Sequence, residues 1–143
     1  MLNKTLISLL IILNLIIFKA YSSDQISFDV TEIEILDGGN KIIGKNRGSI
    51  NSNNGIIIEA NNFEFDKIQN ILKADGDVII KDQINNYNFS AQNILYIKNK
   101  ERIEINGKAE ATIEANYKFT TEDILILRDK MIISSNKGAI IFD

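Results

Sequence analysis

From about residue 26 onward the chain repeats itself roughly every thirty residues, in the two-residue apolar alternation of a β-strand. The stretch NNFEFDKIQNILKADGDVII at 61–80 returns as NILYIKNKERIEINGKAEATI from Asn93 and as DILILRDKMIISSNKGAII from Asp123. Each copy has an alternating apolar run, a charged turn, a second run, a Gly-containing turn and a third run. Val30, Ala60, Ala91 and Thr121 are equivalent, at separations of 30, 31 and 30 residues. Sixteen residues beyond them stand Asn46, Gly76, Gly107 and Lys137, each at or within two residues of a glycine. The pairs Ile33/Ile35, Phe63/Phe65, Ile94/Tyr96 and Ile124/Ile126 align as well. A unit this short cannot bury its own apolar face, so it must stack on its neighbours. That predicts an all-β solenoid or two facing sheets with an apolar lining, against the competing topology of an ordinary closed sandwich.

Local patterning adds detail. Ile26, Phe28 and Val30 alternate with polar residues, and Ile33 and Ile35 continue in the opposite phase. A change of phase by one residue flips the side chains to the other face, which predicts a bulge or bend near Thr31 and Glu32. Turn signals fall at 37–40 (DGGN), at 51–55, and at Asp75-Gly76, Asn85-Asn86, Asn106-Gly107 and Lys137-Gly138. The Asp-Gly and Asn-Gly pairs suit the positive backbone dihedrals of tight turns. Residues 121–129, rich in β-branched side chains and lacking a polar face at helical spacing, read as strand.

Composition removes most catalytic chemistry. The 143 residues make one domain and include no Cys and no His. No thiolate, imidazole base or Ser-His-Asp arrangement is available, and no P-loop is present. Asp75-Gly76-Asp77 lacks the ligand spacing of a calcium loop. Glu101-Arg102 and Glu122-Asp123 are adjacent strand residues that point to opposite faces, so neither pair converges on one site. The expectation is a non-enzyme without cofactor or metal. A net charge of -3 and a pI near 5.0 argue against a nucleic-acid partner, which would need clustered cations.

The first 22 residues begin with Met1 and Lys4 and run almost unbroken through apolar side chains at 6–18. This is shorter than the roughly 20 apolar residues that span a bilayer. A signal peptide cleaved after Ser22 is expected, with Ala20 and Ser22 as its small residues; an uncleaved anchor, supported by Lys19, is the alternative. Removing 1–22 takes two lysines and no acid, leaving -5 on residues 23–143. An exported domain without cysteine must rely on sheet pairing and apolar burial.

Residues 58–80, IEANNFEFDKIQNILKADGDVII, carry Ala60, Asp66, Leu72, Ala74, Gly76, Val78 and Ile80 in a pattern that resembles the OstA-like (organic solvent tolerance-like) domain family of lipopolysaccharide transport. That family includes the bridge protein LptA and the N-terminal domain of the outer-membrane assembly protein LptD. The third repeat keeps Ala91, Ile105, Gly107, Ala109 and Ala111; Thr121 and the displaced Gly138 loosen the fourth. The resemblance spans about residues 26–143. It implies an open twisted β-jellyroll whose two sheets form an apolar groove for lipid acyl chains, lipopolysaccharide as the ligand, and a periplasmic or outer-membrane-associated location. Phe28, Val30, Phe63, Phe65, Leu72, Val78, Ile80, Phe89, Tyr96 and Ile105 are the expected lining, each of which also serves as ordinary core.

The sequence stops at GAIIFD. Ile140, Ile141 and Phe142 are therefore expected to form an edge strand able to pair with another OstA-like domain, head to tail. The equal alternative is the front end of a longer assembly protein. The rival function is a polysaccharide-binding or adhesin-like β-solenoid, which would favour exposed aromatics on a flat face; the chain has no Trp and places Phe and Tyr mostly in the inward phase.

Overall fold

The structure is a computed structural model that describes residues 26–114, 117–138 and 140–142; the expected signal peptide lies outside the described residues. Among the described residues ten strands form one antiparallel sheet: β1 (Ile26–Leu36), β2 (Lys41–Ser52), β3 (Ile56–Ala60), β4 (Asn62–Asp66), β5 (Ile71–Asp82), β6 (Tyr87–Ile97), β7 (Arg102–Ile113), β8 (Tyr117–Leu127), β9 (Ile132–Ser135) and β10 (Ile140–Phe142). The order is β1-β2-β3-β5-β6-β7-β8-β10, with β4 also joining β2 to β5 and β9 pairing with β8. The fold is all-β and open, with β1 at one edge and β9 and β10 at the other.

The sheet becomes two layers because its long strands turn a corner half-way along. Pairing slips between Val30 and Glu32 of β1, Asp75 and Val78 of β5, Ala91 and Ile94 of β6, and Ile105 and Lys108 of β7. Asn46, Arg47, Gly76, Asp77, Gly107 and Asp123 on this line all have positive φ. An extra residue in such a conformation breaks the ladder and bends the strand. Residues 33–36, 41–44, 63–66, 71–75, 94–97, 102–105, 124–127 and 132–135 lie on one side of the crease, the first layer. Residues 26–30, 48–52, 56–60, 78–82, 87–91, 109–113, 117–121 and 140–142 lie on the other, the second layer.

The bend expected at Thr31 and Glu32 is therefore present, and the expected turns at 37–40, 51–55 and 85–86 are hairpin ends. Asp75-Gly76 and Asn106-Gly107 correct the sequence reading. They sit inside β5 and β7, where the positive φ makes a corner and not a hairpin. Hairpins instead close at charged or amide-rich segments: 67–70, 98–101 and 128–131 carry Asn70, Glu101 and Met131 in the left-handed conformation without glycine. The chain between equivalent residues is thus two strands, each crossing both layers, which is what the thirty-residue period measures.

Candidate functional site: the apolar interior between the layers

Paired residues in a sheet share a face, so the register lets the inner surface be traced strand by strand. In the first layer one row runs from Ile35 through Ile42, Phe65, Leu72, Tyr96, Ile103 and Ile126 to Ile133. In the second, a row runs from Phe28 through Ile50, Ile58, Ile80, Phe89 and Ala111 to Phe119. Both cross the molecule perpendicular to the strands, and most of their members belong to a single buried cluster. Phe28 of the second layer meets Phe65 of the first with ring centroids 6.0 Å apart, so the two rows face each other.

Beside the crease the side chains become small. In the second layer Gly48 pairs with Ala60, Val78 with Ala91, and Ala91 with Ala109. The first-layer row beside the crease includes Gly44, Phe63, Ala74, Ile94 and Ile105. The layers converge there: a Cβ on Gly44 of the first layer would lie 3.1 Å from Val30 Cγ1 of the second, and within the second layer a Cβ on Gly48 would lie 2.4 Å from the Asp29 carbonyl oxygen of the neighbouring strand. The alanine that marks each repeat is small because it sits in the angle of the fold.

All ten lining residues expected from the sequence lie on these inward rows. Phe63, Phe65, Leu72, Val78, Ile80, Phe89, Tyr96 and Ile105 are buried, while Phe28 and Val30 are half-buried. Ile42, Ile50, Ile58, Ile103 and Ile126 share the same surface and were missed; each stands in the inward phase of its strand, so extending the alternation count would have found them. Ile140, Ile141 and Phe142 form β10, paired to β8 opposite Thr120, Phe119 and Lys118.

Burial along the rows is uneven, and the unevenness matters for access. Mid-sheet residues such as Ile58, Leu72, Ile80 and Ile103 are fully enclosed. At the β1 end the inward residues Ile33 and Ile35 are 51% and 62% exposed. At the β9 end Ile133, Ile113 and Phe119 are only partly covered, and Tyr87, Ile113, Ile126, Leu127, Met131 and Ile133 line an open groove of about 350 Å³.

A polar cluster sits where the hairpin rims of the two layers meet, and the sequence reading missed it. The Arg128 side chain, 4% exposed, donates from Nε to Asp82 Oδ2 at 2.6 Å, from Nη2 to the Asn54 carbonyl at 2.8 Å, and from Nη1 to Glu101 Oε2. Arg128 and Glu101 belong to first-layer hairpins, Asp82 and Asn54 to the second layer. Asn54 Nδ2 also donates to Tyr96 Oη at 2.8 Å and to Glu101 Oε1 at 2.7 Å. The fully buried Asp82 carboxylate further accepts from the backbone N–H groups of Ile84 and Asn85 and from Asn85 Nδ2. Burial alone would raise its pKa, but the hydrogen bonds from Arg128 and Asn85 hold it down at about 2. Burial pushes the Tyr96 hydroxyl up to about 12, so it remains a neutral phenol. The one signal of the cluster in the sequence is Asp82 itself, a carboxylate in the inward phase of β5 after Leu72, Ala74, Val78 and Ile80.

The arrangement offers apolar surface and shape but no convergent nucleophile, and among the described residues no acidic group gathers that could hold a metal. The sequence matches no protein-family model and no curated protein sequence. The fold is similar to solved structures, among them LptH of Pseudomonas aeruginosa, the LptA-homologous periplasmic component of that organism's lipopolysaccharide transport device. The TM-score is 0.70 at 12% identity, over 84% of this chain and 95% of that chain. At that identity the likeness carries the fold.

Proposed function

We propose that this chain is a periplasmic, non-catalytic carrier that holds the acyl chains of lipopolysaccharide in the trough between its two layers. One observation carries the reading: the inward rows are apolar across the sheet and fully buried in the middle, while toward the ends they become exposed at Ile33 and Ile35 and only partly buried at Ile113, Phe119 and Ile133. A sealed core would bury the end rows too, and an enzyme would interrupt them with convergent polar groups. The ten residues from Phe28 to Ile105 named above are then lining as well as core. Nothing in the trough supplies energy, so movement along it is passive and directed by partners.

In this proposal residues 1–22 are a signal peptide, residues 23–143 the OstA-like domain, and the unpaired outer edges of β1 and of β9 and β10 join further OstA-like domains by main-chain hydrogen bonds. The likeness to LptH supports that reading. The test is titration of purified residues 23–143 with purified lipopolysaccharide and, separately, with its delipidated polysaccharide, followed by native mass spectrometry. Adducts with lipopolysaccharide alone are expected. Adducts with the delipidated polysaccharide alone would instead favour the glycan-binding module.

A further inference from the structure

The rims of the two layers are each stitched internally by backbone hydrogen bonds between successive hairpins. In the first layer Lys67 N donates to Asn40 O, Lys98 N to Asn70 O, and Arg128 N to Glu101 O; in the second, Gln83 N donates to Gly55 O and Glu114 N to Asn86 O. Each rim is thus a continuous hydrogen-bonded band. The Arg128 cluster joins one band to the other. Its guanidinium uses all three nitrogens, one on Glu101 of the first layer and two on Asp82 and the Asn54 carbonyl of the second, and a buried network of this kind has one closed geometry.

The middle of the trough is meanwhile close-packed. Ile58, Leu72, Ile80 and Ile103 leave no room for a guest chain while the layers keep their present spacing. A chain that enters at either exposed end must therefore part the layers to pass. The crease has its bulges and positive-φ residues to flex about, and the opposite rim has the Arg128 cluster to hold it shut.

We propose that Arg128, with Asp82, Glu101 and Asn54, is a latch across the trough rim whose loosening sets the rate at which an acyl chain is admitted. This rests on the carrier reading and deepens it. Ionic attraction inside the cluster holds the empty trough closed, and an inserted chain replaces the lost closed-state contacts with apolar contact along the rows. Glu101 is the partner through which the latch can be tuned, because it is the partly solvated member and its Oε1 accepts across the rims from Asn54 Nδ2, whereas Asp82 also holds its own hairpin.

The chain has no cysteine of its own, so a clean test is available. Ile84→Cys and Met131→Cys place thiols on exposed residues of opposite rims beside the cluster. The pair is bridged with a short bis-methanethiosulfonate, which forms a reducible disulfide with each thiol and releases methanesulfinate, and uptake of a fluorescent fatty acid is followed by stopped flow. Uptake is expected to stop when the rims are bridged and to recover on reduction. In the uncrosslinked protein, Glu101→Gln should load about tenfold faster, as expected for one weakened charge-assisted hydrogen bond in the closed state. Equal uptake rates in bridged, reduced and Glu101→Gln proteins would overturn the latch and leave the carrier reading standing. A wild-type protein that takes up no probe would overturn the carrier reading, and the latch with it.

Discussion

The two layers are held together by different physics toward the two edges of the sheet. At the β1 end the layers touch through carbon: Phe28 against Phe65, Val30 against the bare backbone of Gly44, with Ile33 and Ile35 turned inward yet open to water. Toward the β8 and β9 end they are fastened by charge, with one buried guanidinium shared among Asp82, Glu101 and the Asn54 carbonyl. Apolar contact is non-directional and yields gradually as surfaces slide. A charged network holds one geometry and fails sharply when a partner is lost. The same sheet therefore has a compliant end and a latched end, although its repeats are nearly identical in pattern.

Removing the guanidinium should break that contrast with the largest effect. Arg128→Ala leaves the Asp82 carboxylate buried without its cation, and the expected cost is about 3–5 kcal/mol in urea denaturation. At the compliant end Gly48→Ala should cost less, about 1–3 kcal/mol, because the added Cβ meets backbone that can move only by shifting β1. Hydrogen exchange sharpens the comparison: Gly48→Ala should speed exchange in β1 and leave the amides of β5 to β8 protected.

How much of this was visible beforehand depended on what each residue reports. The period of Val30, Ala60, Ala91 and Thr121 exposed the architecture, because each repeat must place a small side chain in the same crease. Phase alternation placed Phe28 to Ile105 on the inward rows for the same reason that it placed the strands. Gly76 and Gly107 misled as hairpin turns, since positive φ serves a corner and a turn equally and only the pairing partner distinguishes them. The latch was hidden because Asp82 and Arg128 are 46 residues apart and belong to different layers, a proximity that only the folded sheet creates. Asp82, a charged residue in the inward phase of a strand, was the local anomaly that pointed to it.

Acid should also separate the ends. Asp82 holds its pKa at about 2 in the folded protein, below the ordinary value of about 3.9, so the unfolded chain binds its proton more readily. The stabilisation it contributes is complete above about pH 4 and is lost as pH falls toward about 2. Denaturation midpoints taken across that window should fall more steeply for the wild type than for Asp82→Asn. The Phe28–Phe65 contact carries no titrating group and should not add to the slope. The smallest stability effect belongs to Ile35→Ser, whose side chain is already exposed: a change within about 0.5 kcal/mol is expected, with slower fatty-acid uptake as its functional mark.

The central claim is that the inward rows form one continuous path for a lipid chain. It is tested most directly by placing a photo-crosslinking residue at Ile35, Phe65, Ile80, Tyr96 and Ile133 in turn, and at the outward residue Lys73 as control, in cells that make lipopolysaccharide. Lipopolysaccharide adducts from the inward positions of a folded protein, with none from position 73, are the expected result. No adduct from any inward position, or equal labelling from position 73, would contradict the account.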